Sequence, residues 1–317
     1  MKLKILGFAL LAVCVCAVCC MCGSDSKTPD YEFPDGPDPD PDPQPGDYPA
    51  GLTVTEFADD LGGGKQCLGF VAVADLKANP KLRFNAVHLP QQKTPSRIHA
   101  EFASANRGTA CVTTNAGYWW AGNSLSLLVT GGAVKSIENQ TVTRNNQTVY
   151  PVRSSFGQMA SGGFETHWIY CVLDDGNKPY AFPSALDNDE RTNTYMSAPP
   201  TSKTPGAALW TPQEAVGGGP MLVREGKNVA VENYWKEVFD GGGIAGTSRQ
   251  PRTAIGATAD DKLIALGAVD AVNLDGGGSS TMVGSDGKVL NRPSDTGSAE
   301  VIVERKISTA VVISEVN

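Results

Sequence analysis

The sequence predicts an α+β fold: one domain of mainly antiparallel or mixed β-sheet with a few helices. Three observations carry that prediction. Short β-rich runs recur along the body of the chain. Turn dipeptides, among them Gly131-Gly132, Asp175-Gly176, Glu225-Gly226 and Asp286-Gly287, punctuate them. Helical periodicity is rare. The 35 Gly and 21 Pro in 317 residues are too many for a helical bundle and too few for a fibrous or low-complexity chain.

The β-rich runs, in order, are Cys67–Asp75, Leu82–Leu89, Thr109–Asn115, Ser126–Thr130, Thr166–Leu173 and Pro220–Arg224. They continue as Thr253–Thr258, Lys262–Leu266, Ala271–Leu274, Ser280–Val283 and an interrupted run from Val301 to Ser314. One stretch from Thr94 has apolar residues at helical spacing, with Ser96 as its expected N-cap. No repeat with a period of 20–50 residues is present.

The first fifty residues read as address and tether. Lys2 and Lys4 precede an apolar run from Ile5 to Met21, the pattern of a signal segment. Cys14, Cys16, Cys19, Cys20 and Cys22 crowd its end, which points to a lipoprotein-type signal over 1–22 with Cys22 acylated, ahead of Cys20. An ordinary cleaved signal peptide is the plainer alternative. Either destination is the cell envelope or beyond, outside the cytosol. Residues 23–50 carry eight acids against Lys27 and eight prolines, an extended, self-repelling linker. Residues 51–317 form the expected domain, long enough for a substantial core. Cys67, Cys111 and Cys171 lie within it, as core thiols or with one bridge among them.

Composition excludes some functions. A net charge of −8 argues against a nucleic-acid partner. Three His leave little for a His-rich metal site.

Four motifs carry the chemistry. They are Asn115-Ala-Gly-Tyr-Trp119, Gly217-Gly-Gly-Pro-Met-Leu-Val223, Arg252-Thr-Ala-Ile-Gly256 and Asn273-Leu-Asp-Gly-Gly-Gly-Ser-Ser-Thr-Met282. Asp275 ends an apolar strand and precedes Gly276, Gly277 and Gly278. Glycine allows close backbone approach and sharp turns, and successive free N–H groups in such a turn can hold an anion. Ser279, Ser280 and Thr281 add hydroxyls. Gly217, Gly218 and Gly219 suggest a second such turn, and Arg252 is a permanent cation suited to phosphate. Taken singly, each motif has a plain structural reading: a triple glycine as a tight turn, Arg252 as a surface strand residue, Asp275 as a turn cap. No Walker loop or dinucleotide fingerprint is present.

Taken together and in this order, the motifs resemble the phosphodiester glycosidase family, from about Thr94 to the C-terminus. The resemblance also rests on NRPSD (291–295) and on Glu304-Arg305. It implies a pocket at strand ends that hydrolyses a sugar-1-phosphodiester at the anomeric carbon–oxygen bond, with a sugar phosphodiester or phosphoglycan as substrate and no redox cofactor. Asp275 is then the carboxylate facing the sugar, Glu304 the second carboxylate and Arg252 the phosphate-holding cation. Asn115, Gly117, Tyr118, Gly218, Gly219, Gly276, Gly277, Gly278, Ser279 and Ser280 become substrate-binding, with Tyr118 or Trp119 as a sugar platform. His99 and His167 are expected to be structural.

The chain departs from the family at Leu266-Gly267, where relatives have a further loop and helix. The remaining residues are too few for a crossover helix. Either the element is absent or an internal piece has been lost, and the difference bears on one pocket wall. A second reading is a surface glycan-binding module that keeps the pocket and lacks turnover.

Overall fold

The computed structural model describes residues 47–60, 66–102, 107–239, 250–260, 262–264 and 268–316. They form a single body of antiparallel sheet with two short helices, Pro95–Glu101 and Ala230–Lys236. The signal segment and nearly all of the acidic linker lie outside the described residues. Among the described residues no helix is long and apolar enough to cross a membrane.

Three sheets build the body. The first is ordered Leu52–Asp60, Gln66–Ala74, Leu263–Ile264, Ala254–Ala257, Asp270–Asn273, Met221–Arg224 and Lys227–Asn228. The second runs Ala208–Leu209, Lys178–Phe182, Phe164–Val172, Arg153–Gln158, Glu214–Gly217, Leu128–Thr130 and Ala133–Ser136. The third is Met282–Val283, Thr109–Asn115, Ile307–Glu315 and Leu82–Lys93. The main core lies where all three meet. Leu52, Val71, Ile255 and Val272 of the first sheet pack with Phe84, Val112 and Val311 of the third and Phe156 and Val216 of the second. Burying such side chains contributes about 1.5–3 kcal/mol each before ordering costs are subtracted. Phe84, Phe156 and Phe164 add edge and stacked ring contacts at 5.2–5.9 Å.

The helix after Lys93 starts two residues earlier than expected. Thr94 is the N-cap, its hydroxyl accepting from the Arg97 N–H, and Pro95 takes the first helical position, where its missing N–H costs nothing. Ser96 lies inside the helix. The expected run at Val301 becomes strand only from Ile307; Val301, Ile302 and Val303 are exposed coil. The strand Arg153–Gln158 went unpredicted because its sequence, RSSFGQ, lacks alternating apolar residues, yet it is buried by pairing on both sides. Cys111 and Cys171 are buried thiols, and burial raises both above the usual thiol range, Cys111 to about 11. The short connection at Leu266-Gly267 falls outside the described residues. Just beyond it, Ala268 passes within 3.0 Å of where a Cβ on Gly256 would stand, so the crossing depends on that glycine.

Candidate active site

Asp275 sits where the ends of three strands are tied together. Its N–H donates to the Ala116 carbonyl at 3.0 Å, just beyond strand Thr109–Asn115. The preceding Leu274 N–H donates to Thr253, just before strand Ala254–Ala257, at 2.7 Å. Strand Asp270–Asn273 delivers the residue itself. The first and third sheets therefore converge on this carboxylate.

Asn115 holds the junction. Its amide Nδ2 donates to the Asp275 carbonyl at 2.8 Å, while its Oδ1 accepts from Thr253 Oγ1 at 2.8 Å and from the Thr281 N–H at 3.3 Å. It is 1% exposed. Asn115 thus acts on the loop backbone, whereas the sequence reading gave it sugar hydroxyls. Tyr118 is similarly engaged: its hydroxyl donates to the Gly219 carbonyl at 2.8 Å and accepts from Asn273 Nδ2 at 2.7 Å. The ring is buried against Phe239, with centroids 5.6 Å apart. This bond pins three of the four sequence motifs to one another. The exposed aromatic of that segment is Trp120, on the short hairpin Trp119–Trp120/Asn123–Ser124.

Most of the N–H groups expected to cradle an anion are already engaged within the chain. The N–H groups of Gly217, Gly218 and Gly219 donate to the carbonyls of Leu127, Ser154 and Asn273. Those of Gly276, Gly277, Ser279 and Ser280 are also taken, by Asp275 Oδ1, Pro251, Gly276 and Gly277 respectively. What the glycines supply is room. A Cβ on Gly117 would stand 2.5 Å from the Gly217 carbonyl, and one on Gly276 would stand 2.8 Å from the Pro251 carbonyl. The same Cβ position lies 3.8 Å from Arg252 Nη1, an ordinary contact distance, so Arg252 lies beside the loop. A Cβ on Gly278 would fall 2.0 Å from Asp295 Oδ1. Asp295 in turn holds Arg305 in a two-bond fork at 2.6 and 2.7 Å.

Arg305 is the site residue whose role the sequence reading left unassigned. Its field reaches Asp275 and favours the ionised carboxylate there. The available signal was the Asp295 of NRPSD, a fork partner for a nearby arginine. Glu304, its neighbour, has a different place: its carboxylate accepts from the Ser96 N–H at 2.8 Å and from the Ser96 hydroxyl. Those bonds satisfy orphan donors at a helix N-terminus and complement its positive end. His99 is buried against Thr113 Oγ1 at 3.0 Å, as expected of a structural histidine.

The electrostatics follow from this packing. Loss of water around the Asp275 carboxyl raises its pKa to about 6; the Ser279 hydroxyl, the Gly276 N–H and Arg305 pull it part of the way back. The Ser279 hydroxyl is buried and lies near the carboxylate without a well-formed hydrogen bond of its own. Tyr118 is pushed far up by burial and next by the charge of Asp275, with Arg252 and Arg153 opposing. A partly protonated acid in a field of arginines suits charge stabilisation and proton exchange near neutral pH. Among the described residues no group of three His, Cys, Asp or Glu could hold a metal ion.

The model of the phosphodiester glycosidase family matches residues 131–266 and 262–314, more than half of the chain. The chain belongs to that family. The two matched stretches overlap over residues 262–266. The fold is also that of the catalytic domain of zebrafish N-acetylglucosamine-1-phosphodiester alpha-N-acetylglucosaminidase, a structure auto-inhibited by its pro-peptide. That likeness has a TM-score of 0.52 at 18% identity and covers 85% of each chain. A protein of Burkholderia pseudomallei K96243 aligns with a TM-score of 0.44 at 14% identity, over 77% of this chain and 73% of that one. No curated protein gives a match.

Proposed function

We propose that this phosphodiester glycosidase family member is a hydrolase that cleaves a sugar-1-phosphodiester at the anomeric carbon–oxygen bond. The observation that carries the reading is Asp275, a half-buried carboxyl raised to about 6 and acted on by the charge of Arg305, which Asp295 holds; Arg252 lies beside the same loop, with Nη1 3.8 Å from the Cβ position of Gly276. A phosphate diester already leaves readily, so the chemistry needs charge stabilisation more than strong protonation. The anomeric carbon–oxygen bond breaks and its electron pair goes to the phosphate oxygen, which Arg252 stabilises. The sugar gains oxocarbenium character, and the Asp275 carboxylate stabilises it as nucleophile or base. Water adds at the anomeric carbon, giving free sugar and a phosphomonoester.

The N-terminal segment supports a protein carried out of the cytosol and held at the cell envelope through a lipid on Cys22, with the acidic linker as spacer. Mass spectrometry of the membrane fraction, wild type against Cys22→Ala, tests that anchor: loss of the lipid-bearing N-terminal peptide is the expected result, and an unmodified Cys22 overturns it.

The activity test is hydrolysis of a sugar-1-phosphodiester in oxygen-18 water by the wild type, Asp275→Asn and Arg252→Ala. Label in the released sugar is expected, with each variant slower by roughly 2.7–4 kcal/mol of barrier. Label in the phosphate, or folded variants at wild-type rate, overturns the assignment. Saturable binding of the diester without release of sugar would make the protein a glycan-binding module.

A further inference from the structure

We propose that Arg153, a residue outside all four sequence motifs, is a second cation for the phosphate of the substrate, built into the site from the second sheet. The proposal deepens the hydrolase reading and rests on it for the identity of the substrate. Arg153 begins strand Arg153–Gln158 and is half-buried. Its guanidinium lies over the face of Phe239, 4.3 Å from the ring centroid. Nε donates to the Glu237 carbonyl at 3.2 Å and Nη2 to the Val238 carbonyl at 3.1 Å. Nη1 forms no hydrogen bond, and no carboxylate lies within ion-pair distance of the group, among the described residues.

The carboxylate best placed to neutralise Arg153 is occupied. Glu237 is fully buried and accepts four hydrogen bonds: from the Ser154 N–H and hydroxyl, the Trp168 indole and the Met221 N–H, at 2.8–3.0 Å. Burial raises it to about 7, so it carries a full negative charge for only part of the time near neutral pH. Arg153 thus keeps a positive charge in poor solvent, held by two carbonyls and a ring. That is a costly arrangement unless an anion arrives.

Its position connects it to Tyr118. The Phe239 ring that carries Arg153 packs on Tyr118. The Tyr118 hydroxyl lies in the fields of Asp275, Arg252 and Arg153 together. The corner that fixes Arg153 is itself strained. Val238 is β-branched, fully buried and held at φ +61°, a left-handed conformation such residues rarely adopt. Arg144 secures that corner, donating Nη2 to the same Val238 carbonyl at 3.2 Å while its Nε pairs with Glu190 at 2.6 Å. A strained turn clamped by two arginines is a rigid mount, which favours binding an anion without reorganisation.

The test compares wild type, Arg153→Gln and Arg153→Lys in two measurements. Calorimetric titration with inorganic phosphate, run without turnover, is expected to show binding weakened at least tenfold in Arg153→Gln and less in Arg153→Lys. With a sugar-1-phosphodiester, kcat/KM is expected to fall about 100-fold in Arg153→Gln. With a neutral aryl glycoside of the same sugar it is expected to change less than threefold. Phe239→Leu, which keeps Arg153 but removes its aromatic mount, should give an intermediate loss. Absence of phosphate binding by the wild type, equal binding by wild type and Arg153→Gln, or equal losses on charged and neutral substrates overturns the proposal. If the wild type turns over no sugar phosphodiester while Arg153→Gln still loses phosphate, the hydrolase reading fails and the anion site stands.

Discussion

The side-chain amide of Asn115 donates to the backbone carbonyl of Asp275 at 2.8 Å, across 160 residues of chain. One partly buried hydrogen bond thus sets the loop that aims the carboxylate, and it joins two sheets in doing so. Replacing Asn115 with Ala would leave the Asp275 carbonyl, the Thr253 hydroxyl and the Thr281 N–H short of a partner. Unmade buried bonds cost about 1–3 kcal/mol each. Denaturant unfolding of Asn115→Ala is expected to show a loss of about 3 kcal/mol or more, and an unchanged midpoint would show that Asn115 is dispensable to the fold.

Asp275 should leave a signature in the pH dependence of stability. An unfolded Asp titrates near ~3.9, and here the folded group titrates at about 6. Between those values the folded chain holds a proton that the unfolded chain has released. Its contribution is therefore fully present below about pH 4, declines as pH rises through about 6, and is level above that. Asp275→Asn removes this dependence. At pH 7.5 it is expected to raise stability by about 1–2 kcal/mol, allowing for solvent screening of a half-buried group, while abolishing turnover. Thermal melts from pH 4 to 8 check the sign; a variant less stable than wild type at pH 7.5 would contradict it.

Two adjacent glycines should behave differently. Gly277 has φ +62° and open space around its Cβ position, so Gly277→Ala is expected to cost about 1 kcal/mol from backbone conformation alone. Gly278 has an ordinary φ, but its Cβ would collide with Asp295. Gly278→Ala must push the Asp295–Arg305 fork aside, and is expected to lower kcat far more than Gly277→Ala does. Steady-state kinetics on the pair decides; equal effects would mean that the fork does not serve the site.

Glu304 offers a clean separation between capping and catalysis. Removing an N-terminal capping acceptor costs about 1 kcal/mol. Glu304→Ala should lose about that much stability and keep kcat within a few-fold of wild type. A 100-fold fall in kcat would restore it as the second carboxylate.

Much of this was legible before any fold was known. Asp275, Arg252 and Tyr118 are brought together because their motifs end neighbouring strands, and strand ends are marked by local composition. The helix at Thr94 and most β-rich runs were visible for the same reason. The strand Arg153–Gln158 was not, since its burial comes from partners on both edges and leaves no alternating pattern. The glycines were recognisable as special, but their use was not. Whether a glycine offers its N–H or its missing side chain depends on what packs against it.

The sequence by itself determined the β-rich class, the order of the motifs, the acidic linker and the acid at position 275. Those are properties of neighbouring residues: strand propensity, turn chemistry, charge density and a carboxylate beside flexible backbone. Only the tertiary structure decided that Asn115 is a brace, that Glu304 caps a helix, that Arg305 acts on Asp275 and that Arg153 packs beside the Tyr118 hub. Each of those roles joins residues far apart in the chain. Their contacts exist because three sheets close on a common core, and no local run of residues encodes that closure.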